Sequence, residues 1–183
     1  MPIQIELPVT ADRVRTLRAG DLVAISGRLL TAREAAHRRL ATRFEPGVRA
    51  ALEGRFLYHC GPVVSPAPQG GWRFVAFGPS ASAPVEPWEP EVIARYGVRG
   101  VVGKGGMGEG TRAALRAHGA AYLKPAGGLA VTLARCVVRV HGVHLLDELG
   151  VTDAVWDVEV AGFPAIVVMD ARAESHEALG ASA

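Results

Sequence analysis

Residues 98–108 read Val-Arg-Gly-Val-Val-Gly-Lys-Gly-Gly-Met-Gly, a short apolar strand running into a glycine-rich turn with one lysine. A helix-like stretch from Glu109 to His118 follows at once. Such a turn lets backbone approach a ligand, leaves N–H groups open at a helix start and adds the fixed charge of Lys104. The chemistry is anion binding, of a carboxylate or a phosphate, with Lys104 and Gly105 as the candidate ligands. Glycines at 103, 105, 106 and 108 raise this lysine above an ordinary surface residue. Neither the spacing nor the Lys-Ser/Thr pair of a Walker turn is present, which argues against a nucleotide.

Arg33 is the second candidate. Thr31-Ala32-Arg33-Glu34 has the form of a capping box, which would put Arg33 in the first turn of a helix running to about Phe44. A cation there opposes the helix dipole unless an anion neutralises it. With Lys104 it could hold a dicarboxylate at both ends, Arg33 by a bidentate fork and the lysine as a point charge. His37 lies one turn on, either orienting that anion or packing. His59-Cys60 precedes Gly61-Pro62 on an apolar strand, where packing is a commoner role than catalysis. His118, His141, His144 and His176 share no ligand spacing, so no metal site is expected.

The elements that must position these residues read as a mixture of strands and helices, an α/β chain with a layered sheet. A short helix is expected over 9–17, opened by Thr10 or Asp12, then a buried strand over 21–27. Strands are expected over 57–64 and 73–77, separated by the Pro/Gly-rich stretch 65–71. The span 78–90 is irregular, with prolines at 79, 84, 87 and 90. Pro90 suits the first turn of a helix ended by Gly97. Beyond the lysine turn and its helix come a strand over 120–123, a helix from Gly127-Gly128 to about Arg135, and strands over 156–160 and 165–169. Residues 1–172 read as one domain and 173–183 as a frayed tail.

Bulk properties exclude several functions. The 183 residues are 49% hydrophobic and 21% charged, which suits a globular chain with a real core. A formal charge of +2 with scattered cations and few aromatics does not suit nucleic acid. The amino terminus lacks the pattern of a signal peptide, and the apolar run 126–146 is broken by Arg135, Arg139 and two histidines. A cytoplasmic protein with two reduced thiols, Cys60 and Cys136, is expected. Two cysteines are too few for an all-cysteine zinc or iron–sulfur site.

Taken together, Thr31-Ala32-Arg33-Glu34-Ala35-Ala36-His37, His59-Cys60-Gly61-Pro62, Gly103-Lys104-Gly105-Gly106-Met107 and Phe163-Pro164-Ala165-Ile166-Val167 resemble the beta subunit of the iron–sulfur hydro-lyases. These are the tartrate dehydratases and class I fumarate hydratases. The resemblance runs from about residue 3 to residue 172. It implies a swivelling β/β/α domain that closes over an active site shared with an alpha subunit, in a hetero-oligomer that would not be active as this chain alone. The alpha subunit would hold a [4Fe-4S] cluster through three cysteines, and this chain would hold none. The family's substrate-binding arginine and lysine fall on Arg33 and Lys104.

One motif departs from that pattern. Where the family reads Gly-Pro-Thr-Thr, two residues, then Arg-Met, this chain reads Gly78-Pro79-Ser80-Ala81-Ser82-Ala83-Pro84-Val85. Ser80 stands for the first threonine. Ala81 replaces a hydroxyl proposed to help move the substrate proton, and Pro84 replaces an arginine that grips a carboxylate. Proton transfer would then fall to Ser80, Ser82, His59 or the partner subunit, with Ser80 and Ser82 the candidate catalytic hydroxyls. The expected activity is addition or removal of water beside a carboxylate, on a substrate altered from fumarate or tartrate. The alternative is an inactive structural or regulatory paralogue.

Overall fold

The computed structural model describes residues 1–126, 130–172 and 174–175. Its organising element is the long strand β9 (Val155–Met169), which pairs antiparallel with three others. These are β2 (Leu22–Thr31), β7 (Ala121–Pro125) and β8 (Val137–His144). From the far end of β2 the ladder continues in parallel through β3 (Phe56–Tyr58) and β6 (Gly100–Val102) to β7. The circuit β2-β3-β6-β7-β9 therefore returns to β2. The expected layered sheet is instead a closed, barrel-like one. Length is the reason: β2 has ten residues and β9 fifteen, so each can serve two neighbours at different ends. The strands β1 (Ile3–Leu7) and β8 extend the sheet, and β4 (Val63–Pro66) with β5 (Trp72–Ala76) makes a separate hairpin.

Side-chain alternation divides the interior in two. Phe56 and Tyr58, Val102, Leu123, Phe163 and Val167 point into the barrel with Trp156, Phe77 and Phe74. Leu57, Val101, Tyr122 and Val168 point outward. Helices α2 (Glu34–Thr42), α3 (Pro46–Leu52), α4 (Glu89–Tyr96) and α5 (Glu109–His118) cover them. Strands apolar on both faces are what a parallel ladder under helices requires.

Several expectations hold. Thr10 caps α1 (Ala11–Arg15) by accepting from Arg13 N, and α4 begins near Pro90 and ends at Gly97. Others need correction. The strand expected over 57–64 is split into β3 and β4, and those over 156–160 and 165–169 are one strand. Helix α3 and strands β1 and β8 lie where the sequence pattern predicts no such element. β8 reads Val-Val-Arg-Val-His-Gly-Val-His, so its polar residues break the apolar run without breaking the strand. Only the end of the helix expected from Gly127 is described, as α6 (Ala130–Ala134), and its opening falls outside the described residues. The tail expected over 173–183 also lies outside them, except for residues 174–175, where Ser175 bridges to Met169.

Candidate functional site

Three loops leave the carboxyl ends of the parallel strands β2, β3 and β6, where open α/β sheets commonly place ligands. They carry Arg33, His59-Cys60 and Gly103–Gly106 respectively. A fourth segment, 80–82, is laced between them. Ser80 N donates to His59 O at 2.7 Å, Lys104 N donates to Ser80 O at 3.2 Å, and Ser82 N donates to Lys104 O at 2.9 Å. Ala81 and Lys104 thus form a parallel bridge, which places the exposed lysine beside the departing motif.

Gly103 is required by this lacing. A Cβ there would stand 2.0 Å from Ser82 Oγ and 2.8 Å from His59 Nδ1. At Gly61 a Cβ would meet Arg33 Cδ at 2.5 Å, so the bare backbone lets the arginine chain pass.

Arg33 is half-buried, and beside it opens a cavity of about 120 Å³ lined by Arg33, Glu34, Ser80, Ala81, Pro84 and Val85. The structure thereby brings Arg33 to the 80–85 segment and joins Lys104 to that segment through the backbone. Arg33 Nη1 stands 3.6 Å from Asp153 Oδ1, a loose, half-exposed pair that an incoming carboxylate can displace. The lining suits one carboxylate held against the Arg33 guanidinium, with Ala81, Pro84 and Val85 as small apolar lining and Glu34 as its one acidic residue.

The two serines differ sharply. Ser80 is half-buried and lines the cavity, whereas Ser82 is fully buried. Ser82 Oγ lies 2.8 Å from His59 Nδ1 and accepts from Tyr122 Oη at 2.9 Å. Gly105 contributes its carbonyl to the same Tyr122 hydroxyl, at 3.1 Å.

The capping box does not form. Arg33 is itself the N-cap of α2, with no side-chain cap, and Thr31 ends β2, where its hydroxyl accepts from Trp156 N at 3.1 Å. Strand pairing to β9 outcompetes the cap. Two of the N–H groups at the start of α5, those of Gly108 and Thr111, are not open either. Glu86 takes Gly108 N at 2.7 Å, Thr111 N at 3.0 Å and the Thr111 hydroxyl at 2.7 Å. An internal carboxylate occupies the anion position that the turn offers.

His37 faces inward, fully buried, and orients no surface anion. With His59 and Glu89 it forms a buried group whose donor atoms lie within 4.8 Å of one another, a set that sequence spacing did not reveal. Glu89 sits in the first turn of α4, 30 residues from His59, so only the fold brings them together. Burial raises the Glu89 carboxyl, but the two histidines outweigh it and hold the group down at about 2. Burial pushes His59 below the ordinary imidazole range, against the pull of Glu89. Burial likewise pushes the Cys60 thiol up, which removes it as a nucleophile near neutral pH. Among the described residues Cys60 and Cys136 are unpaired with one another, and no helix is long and apolar enough to cross a membrane.

Comparison with known proteins gives the same family as the sequence motifs. The family model described as Fumarase C-terminus matches residues 1–178. The chain is 36% identical over 166 residues to the L(+)-tartrate dehydratase subunit beta of Escherichia coli strain K12, covering 89% of this chain and 80% of that one. A provisionally named L(+)-tartrate dehydratase subunit beta of Methanocaldococcus jannaschii is 36% identical over 170 residues, 91% of this chain and 87% of its own. A provisionally named class I fumarate hydratase of Geobacillus stearothermophilus is 40% identical over 176 residues, 96% of this chain but only 34% of that longer protein. With three of its four family-like motifs on the loops after β2, β3 and β6, the chain belongs to the Fumarase C-terminus family.

Proposed function

We propose that this chain is the beta subunit, or beta-type domain, of a hydro-lyase that adds or removes water next to a carboxylate. The observation that carries this reading is the cavity in which Arg33 faces Ser80, Ala81 and Pro84, with Lys104 bridged to Ala81. Arg33 grips the substrate carboxylate through its planar fork, and Lys104 with the Gly105 backbone supplies charge from the facing loop. Ser80 is the hydroxyl at the cavity wall and the candidate to hold or pass a proton. Ser82, sealed beneath it, acts through its neighbours.

The chain's own residues do not fit an iron–sulfur cluster. It has two cysteines, Cys60 is fully buried, and no cysteine lines the cavity. In the proposed assembly a [4Fe-4S] cluster is held by an alpha subunit, where it would supply Lewis-acid chemistry for the departing hydroxyl. In this reading the chain is a swivelling β/β/α domain that closes on that partner in the cytoplasm, and it has no activity by itself.

The substrate differs from fumarate or tartrate. Pro84 and Val85 offer no donor to a second carboxylate, so a hydroxy acid with one carboxylate and a small apolar group suits the wall. A second reading, an inactive structural or regulatory paralogue, draws on Ala81, whose side chain moves no proton. Co-expression with a three-cysteine alpha subunit and anaerobic cluster reconstitution, followed by a panel of mono- and dicarboxylic hydroxy acids, separates them. Turnover that Lys104→Ala abolishes supports the hydro-lyase. A stable, cluster-loaded complex inert on the whole panel supports the paralogue.

A further inference from the structure

A continuous run of buried side chains passes beneath the cavity from one loop to the next. His37 Nδ1 lies 2.8 Å from Arg33 O, and its Nε2 lies 2.9 Å from Glu89 Oε2. The same carboxylate oxygen is 2.8 Å from His59 Nε2, and His59 Nδ1 is 2.8 Å from Ser82 Oγ. Tyr122 Oη then shares its single proton between Ser82 Oγ and Gly105 O. All five side chains are 0% exposed. The run therefore begins on the carbonyl of Arg33 and ends on the carbonyl of the residue after Lys104.

Proton counting fixes part of its state. A carbonyl only accepts, so His37 Nδ1 must donate to Arg33 O. His37 Nε2 lies 2.9 Å from that carboxylate oxygen without the alignment of a hydrogen bond, and it has no other partner among the described residues. A bare nitrogen lone pair against that oxygen would be repulsive, so a proton or a metal ion lies between them, and with Glu89 held ionised by the two histidines the positive charge falls on the His37 side. His59 has no such demand, because Ser82 can donate to its Nδ1 while Nε2–H donates to Glu89. The two rings meet edge to face with centroids 4.9 Å apart.

The intervening charge is a proton or a metal ion. Donors around a tetrahedral metal with bonds of about 2.0–2.1 Å stand about 3.3 Å apart. Here both nitrogens lie 2.8–2.9 Å from Glu89 Oε2, the separation of shared protons.

We propose that Glu89 is a positioning residue. Ion-paired with a doubly protonated His37 and accepting from a neutral His59, it straps the Arg33 loop to the 80–82 and 104–105 loops as one rigid unit. Its importance for substrate rests on the hydro-lyase reading, but the strap itself does not.

The test uses this chain with ¹⁵N-labelled histidine, purified and metal-analysed, near neutral pH. Long-range proton–nitrogen correlation is expected to show protons on both ring nitrogens of His37 and on one of His59. Glu89→Gln is expected to return His37 to one ring proton. It should also speed amide exchange at Ser82 and Lys104 about tenfold, the weight of one hydrogen bond, while β8 is unchanged. Tyr122→Phe should loosen the same amides without altering His37, and it decides the strap if the glutamine variant does not fold. A wild-type His37 with one ring proton, a stoichiometric metal lost in Glu89→Gln, or faster exchange spread evenly through the sheet would each overturn the proposal. None of these readouts depends on turnover, so an inert complex leaves the strap standing and a failed strap leaves the hydro-lyase standing.

Discussion

Glu86 and Thr111 lock the glycine-rich turn from outside. One carboxylate takes both the backbone N–H and the hydroxyl of Thr111 while also holding Gly108 N. A residue on the irregular 78–90 span is thus the true cap of α5. Glu86→Ala is expected to cost about 1–2 kcal/mol, as loss of a helix cap does. It should lower the thermal midpoint by roughly 2–8 °C. Because the vacated position is an anion site, sulfate should restore more of the midpoint in the variant than it adds to the wild type. Equal sulfate responses in the two proteins would contradict this assignment.

Gly103 has no room for a side chain. The atoms in the way are a buried hydroxyl and a buried imidazole, both tied into hydrogen bonds, so they cannot swing aside cheaply. Gly103→Ala is expected to destabilise by about 1–3 kcal/mol, the cost of overpacking a close-packed interior. Denaturant titration with an unchanged slope measures it. Gly106→Ala is the control, since nothing lies within 4 Å of a Cβ there.

The lysine turn, Arg33 and the α/β class were legible because each has a local signature. Glycine density marks the turn, a short motif marks the arginine, and apolar runs mark the strands. What escaped was set by distance in the chain. Glu89, His59 and Ser82 meet only after α4 is folded over β3, and the closure of the barrel depends on β9 reaching β2. Thr31 shows the competition directly. Its cap-like spacing to Glu34 is real, but tertiary pairing with Trp156 N claims the hydroxyl. Glu86 carried no signal beyond its charge, because the partners it satisfies lie 22 and 25 residues away.

Acid should unfold the protein through Glu89 and His59, and the signs agree. Burial lowers His59, so the unfolded chain takes up a proton first, and the stability from the neutral ring is complete above about pH 6.5 and falls below it. Glu89 is held at about 2 against an ordinary 4.5, so its contribution is present above that ordinary value and is lost as pH falls toward 2. The thermal midpoint is expected to fall steadily from near neutral pH downward. Glu89→Gln should be less stable near neutrality and should flatten the profile below about pH 5, while the fall that begins near pH 6.5 persists and deepens because His59 loses the carboxylate that pulls it upward. A variant profile parallel to the wild type over the whole range would remove Glu89 from this role.

Arg33 is expected to carry substrate affinity in the assembled enzyme. A charge-assisted fork to a carboxylate contributes about 1.5–3 kcal/mol, so Arg33→Ala should lower kcat/KM by roughly ten- to a hundredfold. Arg33→Lys should recover only part of this, since an ammonium cannot reproduce two parallel bonds. Asp153→Asn is informative beside it. If Asp153 competes with substrate for the guanidinium, its removal should lower KM slightly and leave kcat alone. An Arg33→Ala variant with unaltered kcat/KM would move the carboxylate away from this cavity.

The apolar wall makes a directional prediction about specificity. Pro84 is exposed and lies within a 3₁₀ turn (Ala83–Val85), a backbone that arginine adopts freely, and Ala81 is exposed beside Lys104. The double substitution Ala81→Thr with Pro84→Arg should therefore fold with little loss, costing under about 1 kcal/mol of loop rigidity. It places a hydroxyl and a second guanidinium across the cavity from Arg33, where a second carboxylate would sit. Preference for a dicarboxylic over a monocarboxylic hydroxy acid, measured as a ratio of kcat/KM values, is expected to rise at least about tenfold. An unchanged ratio in a folded, cluster-loaded complex would show that residues 81 and 84 do not choose the substrate, and the wall would then belong to the closing partner surface.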